Sequence, residues 1–187
     1  MSERRASRWR LFVGVPVPGA VAGELHGQLA PLRVRHPDAR WTPASKLHLT
    51  LVFLGATAPS DVELIDAAVA QVAAGWAPFE VSTGGGGGYL GRRGGVAWLE
   101  VDDGRTEAVR LSLAVDAALE SRAYEARPPR PHLTLARRVS DALLGDVAAA
   151  AADLRTAWRV DRAVLYRSYT GPGSADYEAL STHLLSG

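Results

Sequence analysis

The chain has 187 residues, enough for one domain or two small lobes with a sizeable buried core. Apolar residues make up 47% and charged residues 22%, which excludes a disordered or fibrous class. A formal net charge of +1 excludes a wholesale basic surface for nucleic acid, and the lack of cysteine excludes disulfides, thiolate nucleophiles and cysteine zinc sites.

The N-terminal "MSERRASRWRLFVGVPVPGAVAG" sets basic residues before an apolar stretch, superficially like a signal peptide. Gly14, Pro16 and Pro18 interrupt that stretch, and "RLFVGVPV" reads as a first strand over 10–17, so a cytoplasmic location is expected. No apolar run is long enough to span a bilayer. A helix over 19–29 stops before Pro31, and 41–54 is extended, divided by Pro43. "PSDVELIDAAVAQVAAG" predicts a helix with Ser60 as N-cap, Glu63 completing a capping box, and Gly75 closing it. Val62, Ile65, Val69 and Val72 line its apolar face. Strands over 79–83 and 96–101 are joined by "GGGGGYLGRRGG", read as a flexible hairpin connection. A helix over 106–121, an extended "PHLTLA", a helix over 141–157, and strands "RVDRAVLYRS" and "DYEALSTHLL" joined through "YTGPGSA" complete the order. Strands and helices mix without strict alternation, which predicts an α+β fold of mostly antiparallel sheet, with 1–187 as a single domain.

Two of the five histidines sit in identical settings, His48-Leu49-Thr50-Leu51 and His132-Leu133-Thr134-Leu135. The wide spacing suits two copies of a half-domain, so two pseudo-symmetric halves with flanking helices are expected to face each other across a central cleft. On a strand, residues two apart share a face. His48 and Thr50 therefore project together, with Leu49, Leu51 and Phe53 on the opposite side. His132 and Thr134 repeat the arrangement, with Leu133 and Leu135 behind them.

Imidazole titrates near neutrality and serves as acid or base, so a pair can divide the two tasks of phosphodiester cleavage. One neutral imidazole takes a proton from the attacking oxygen, and a protonated one gives a proton to the leaving oxygen. The threonine hydroxyls can hold the non-bridging phosphate oxygens. The scheme calls for no metal and no cofactor.

With these blocks in view, the chain resembles the two-histidine (2H) phosphoesterase superfamily, and most closely the RNA 2′,3′-cyclic phosphodiesterases, also called 2′-5′ RNA ligase-like proteins. "RLFVGVPVP", "RWTPASKLHLTLVFLG", "RPPRPHLTLAR" and "LYRSYTGPGSADYEAL" carry the likeness nearly end to end. The resemblance implies hydrolysis of a terminal 2′,3′-cyclic phosphate on RNA to a 2′-phosphomonoester. It gives His48 the proton-donor role and His132 the proton-acceptor role. Thr50 and Thr134 become phosphate ligands, and Arg137 a phosphate-clamping arginine. Arg137 is an odd number of residues from His132, so on an ideal strand it would face away, and a bulge, twist or strand end is required.

Phe12 and Trp41 are candidates for stacking on the terminal base. Arg92, Arg93, Arg127 and Arg130 are candidates for the RNA backbone. His26, His36 and His183 lie outside the matching blocks. Gly86, Gly88 and Gly91 fit G-x-G-x-x-G, but a strand rather than a helix follows, so the dinucleotide mechanism lacks its helix N-terminus. Ligation of 2′-5′ RNA ends, cleavage of another cyclic phosphate, and a non-catalytic RNA-end-binding module are the alternatives. The expected partner is an RNA 3′ end carrying a 2′,3′-cyclic phosphate, met by a monomer.

Overall fold

The computed structural model describes residues 8–92, 94–119, 129–169 and 176–187, so Arg93, Ser121, Arg127 and most of the "YTGPGSA" connection lie outside the described residues. In chain order the elements are β1 (Trp9–Pro16), α1 (Gly19–Gln28), α2 (Ala30–Arg35), β2 (Arg40–Trp41), β3 (His48–Thr57), α3 (Val62–Ala74), β4 (Phe79–Tyr89) and β5 (Gly95–Val101). There follow α4 (Arg105–Ala118), β6 (His132–Val139), α5 (Asp141–Ala150), β7 (Ala157–Val160), β8 (Arg162–Tyr169) and β9 (Asp176–Leu184). One antiparallel sheet takes the order β7-β4-β5-β6-β3-β1-β8-β9, with β2 paired to β6.

That order is symmetric about its centre. The two histidine strands, β3 and β6, are neighbours joined through the pair Leu49↔Leu133. Outward from β3 come β1, β8 and β9, and outward from β6 come β5, β4 and β7. Helices α3 and α4 pack on the first half and α5 on the second. Leu49 and Leu133 are 1% and 0% exposed, within one hydrophobic cluster drawn from both halves. The expected α+β fold with two pseudo-symmetric halves is therefore present.

Several local expectations are corrected. The glycine run is strand, not a flexible connection: β4 continues through Gly84 to Gly88 and pairs with β5 up to Tyr89↔Val96. Glycine is needed there because α5 lies directly on the strand; a Cβ on Gly86 would stand 2.8 Å from the Val147 carbonyl oxygen. Ser60 does not cap α3. It lies in a 3-10 turn (Pro59–Asp61), and α3 starts from Asp61 without a side-chain cap. Pro31 ends the first helix as expected but also opens α2, since its fixed φ suits a first helical turn. The helix expected over 141–157 ends at Ala150, and "RVDRAVLYRS" divides at Asp161 into β7 and β8, which pair at opposite ends of the sheet.

Candidate active site

Each histidine is the first residue of its strand, and each donates Nδ1–H to the backbone carbonyl two residues earlier. His48 bonds Lys46 at 2.8 Å and His132 bonds Arg130 at 2.7 Å. With Nδ1 committed, the lone pair of a neutral ring resides on Nε2, where it can accept a proton. Both imidazoles rest on aromatic rings: His48 is 4.9 Å from Phe12 and edge-on to Tyr177 at 5.3 Å, and His132 is 5.3 Å from Trp98.

Burial pushes the His48 imidazole below its ordinary 6.5. The Lys46 hydrogen bond opposes that shift, while the charges of Arg137 and His132 reinforce it. His132 is lowered by burial too; the hydrogen bond to the Arg130 carbonyl opposes that shift, the charges of Arg130 and Arg137 reinforce it, and Glu100 works against it. Glu100 faces His132 across the β5–β6 ladder and is itself bound to Arg130 and to Arg105.

Matching bulges shape the two motifs. Along β3, Val13↔Val52 gives way to Gly14↔Thr50, so Leu51 is the extra residue. Along β6, Ala97↔Ala136 gives way to Trp98↔Thr134, so Leu135 is the extra residue. A bulge puts two consecutive residues on one side and reverses the alternation beyond it. Leu135 and Ala136 are accordingly both buried, and Arg137 emerges on the face of His132 and Thr134. This resolves the odd spacing of Arg137. It also corrects the expectation for Phe53: Val52 and Leu54 are buried, and Phe53 is 59% exposed on the histidine face.

A bulged residue leaves a carbonyl outside the ladder, and each is supplied with a donor. Ser112 Oγ of α4 donates to the Leu51 carbonyl at 2.6 Å, and the Thr42 N–H donates to the Leu135 carbonyl at 2.8 Å. Ser112→Ala would leave the Leu51 oxygen buried without that donor. The expected loss is about 1–3 kcal/mol, read as a lowered denaturation midpoint with an unchanged slope.

The sheet brings His48, Thr50, His132, Thr134 and Arg137 to one face around the β3–β6 junction. The Thr50 and Thr134 hydroxyls have no hydrogen-bond partner, and Arg137 no carboxylate partner, among the described residues. The bulge sets Arg137 on the face of the two histidines, and its charge lowers both imidazoles. Gly14 makes room beside His48: a Cβ there would stand 2.9 Å from the Leu49 carbonyl oxygen and 3.4 Å from the His48 ring.

The proposed base-stacking role of Phe12 is corrected. Its ring is 3% exposed, stacked on Tyr166 at 4.9 Å, so it supports His48 and offers no free face. Trp41 is half-buried against the core, and its indole N–H donates to the His36 carbonyl at 3.1 Å. Arg130 lies over Trp98 at 5.4 Å and Arg92 is exposed. Tyr166, Tyr177, Trp98, Glu100 and Ser112 are site-shaping residues that sequence reasoning missed. Their roles depend on strand neighbours distant in the chain, which no local pattern announces.

The other histidines tie elements together. His36 bonds Asp146 at 2.7 Å and His26 meets Arg33. His183 Nε2 and Ser181 Oγ, 3.1 Å apart, both bond Oδ1 of Asp66 and so tie β9 to α3. Among the described residues no group of three or more histidines and carboxylates is placed to hold a metal, and no helix is long and apolar enough to cross a membrane.

Comparison with known proteins matches residues 20–172 to the family model described as the 2′-5′ RNA ligase superfamily. A Bacillus subtilis (strain 168) protein named RNA 2′,3′-cyclic phosphodiesterase is 30% identical over 129 residues, covering 68% of this chain and 70% of that one. Escherichia coli LigT in its apo form superposes with a TM-score of 0.74 at 22% identity, over 97% of this chain and 99% of LigT. LigT complexed with 3′-AMP gives 0.71 at 22%, with the same coverage. The Thermus thermophilus protein TT0787 gives 0.75 at 25%, over 95% and 98% of the two chains.

Proposed function

The chain belongs to the 2′-5′ RNA ligase superfamily, and on that footing we propose that it is an RNA 2′,3′-cyclic phosphodiesterase, opening a terminal cyclic phosphate to a 2′-phosphomonoester. The observation that carries this reading is the pair of imidazoles on neighbouring strands, each with Nδ1 bonded to a carbonyl and with Arg137 on the same face. The name of the Bacillus relative and the 3′-AMP held by LigT support the choice of substrate.

In the proposed reaction Nε2 of neutral His132 takes a proton from water as the water oxygen bonds to phosphorus. The P–O3′ bond breaks, and protonated His48 delivers its proton to O3′, leaving the phosphate on O2′. Thr50, Thr134 and Arg137 hold the non-bridging oxygens as negative charge gathers there. The donor and acceptor roles follow the family resemblance. The residues act within one domain, as a monomer, and in the cytoplasm. No step calls on a metal or a cofactor.

The productive free protein carries one protonated and one neutral imidazole. Because both are lowered, that form becomes scarcer as pH climbs above their ordinary 6.5. kcat/KM on a short RNA ending in a 2′,3′-cyclic phosphate is therefore expected to fall about tenfold per pH unit between roughly pH 7 and 8.5. A bound phosphodiester anion favours imidazolium, so the descending limb of kcat should lie at higher pH than that of kcat/KM. The same assay in excess EDTA, with 2′- and 3′-phosphate products resolved, tests the reaction. Unchanged turnover to the 2′-phosphate supports it. Loss with EDTA, or a 3′-phosphate product, sinks it; turnover only of other cyclic phosphates, or tight binding without turnover, points to the alternatives.

A further inference from the structure

A cation precedes each motif histidine by two residues, Lys46 before His48 and Arg130 before His132, and each lends its backbone carbonyl to the imidazole Nδ1–H. Each cation also meets an acid. Lys46 Nζ is 3.1 Å from Asp176, whose side chain is 76% exposed at the start of β9. Arg130 instead binds Glu100, which is half-buried on β5 and is the direct ladder partner of His132. The two halves differ at this point: the acid of the second half stands opposite the imidazole itself.

Glu100 is held from two sides. Arg105, the first residue of α4, donates Nε–H to the Val101 carbonyl at 2.8 Å and Nη2–H to one Glu100 oxygen at 3.1 Å. The other oxygen takes the Arg130 guanidinium, which lies 5.4 Å over the Trp98 ring, and Trp98 in turn lies 5.3 Å from His132. A closed chain of contacts thus runs from Glu100 through Arg130 and Trp98 to the imidazole and back across the β5–β6 ladder. Arg130 enters it twice, through its carbonyl on Nδ1 and through its guanidinium on Trp98. A histidine base needs Nδ1 held so that Nε2 is presented to the water, and it loses proton affinity to an uncompensated cation beside it. Glu100 answers both demands.

We propose that Glu100 is the positioning residue of the base: by binding Arg130 it steadies the carbonyl that orients His132 and counters a cationic charge beside the ring. The inference rests on the cyclic phosphodiesterase reading, with His132 as proton acceptor, and adds a residue that acts through that histidine. The charged groups facing the ring are Arg130 before β6, Arg137 along it, Glu100 on β5 and His48 on β3. Arg130 and Arg137 lower the imidazole and Glu100 raises it, so changes at Arg130 and at Glu100 move the base in opposite directions.

Glu100→Gln keeps the side-chain volume and removes the charge. At its own pH optimum it is expected to lower kcat on a cyclic-phosphate RNA end about tenfold without raising KM, since the released arginines attract the RNA anion, and to move the kcat/KM profile to lower pH. Arg130→Gln, which keeps the backbone carbonyl, is expected to move the profile to higher pH, and the double variant to bring it back toward wild type. The same order should appear without substrate in the NMR titration of the His132 C2 proton, assigned by its absence in His132→Gln. A role in folding alone would lower the denaturation midpoint of Glu100→Gln and leave the titration in place. An unmoved His132 titration, an unchanged kcat, or a kcat loss accompanied by a raised KM in Glu100→Gln overturns the proposal. Absence of turnover by wild type would refute the proposed reaction, while the His132 titration still decides whether Glu100 acts on the ring.

Discussion

His48→Ala and His132→Ala are each expected to lower kcat on a cyclic-phosphate RNA end by about 100- to 10,000-fold. Acid and base act in one step, so the double variant should lose little more than the worse single one. His48 is enclosed by Phe12 and Tyr177, so its removal also leaves a void; His48→Gln fills part of it and should be equally inactive with a denaturation midpoint nearer wild type. The two roles separate with a cyclic analogue carrying sulfur in place of O3′. A thiolate leaves without needing a proton, so this substrate should restore much of the rate to His48→Ala and none to His132→Ala. Rescue of His132→Ala alone would reverse the donor and acceptor assignment. Near-wild-type rates in both alanine variants with the oxygen substrate would discard two-histidine catalysis.

Much of this arrangement is legible along the chain, because the duplicated His-x-Thr-x is a strand pattern and strand periodicity is local. The pattern puts both histidines and both threonines on one face and buries Leu49 and Leu133. Beyond the motifs the period breaks: Leu51 and Leu135 bulge, and everything downstream changes sides. A bulge is set by the partner strand and by whatever satisfies its spare carbonyl. Here those donors are Ser112 and Thr42, far from Leu51 and Leu135 in sequence. The odd spacing of Arg137 is the one trace of a bulge that the sequence carries. The same reasoning applied to Phe53 would have moved it to the cleft, since Phe53 and Arg137 are equally placed after their histidines. The glycine run misleads for a related reason. Five successive glycines read as a loop, yet the side chains missing from Gly86, Gly87 and Gly88 open space for α5 or for β5, a demand that exists only in three dimensions. Phe12 and the rings of Tyr166 and Tyr177 meet around His48 only because β8 lies between β1 and β9.

Arg137→Ala is expected to lower kcat/KM by about a hundredfold, the loss of a charge-assisted contact to phosphate oxygens that carry more charge in the transition state. The variant should also move the pH profile. The guanidinium lowers both imidazoles, so its removal lets both rise toward their ordinary value. The descending limb of kcat/KM then shifts to higher pH even as the maximum falls. An arginine that only met the RNA backbone outside the cleft would lower affinity without shifting that limb. Arg137→Lys separates charge from geometry: the ammonium keeps the imidazoles lowered, and the limb stays in place, but the planar fork is gone and kcat/KM stays well below wild type. A full rate for Arg137→Lys would reduce the clamp to a point charge. An unmoved limb in Arg137→Ala would remove the guanidinium from the neighbourhood of the histidines, and with it the claim that the Leu135 bulge serves to bring Arg137 to the phosphate.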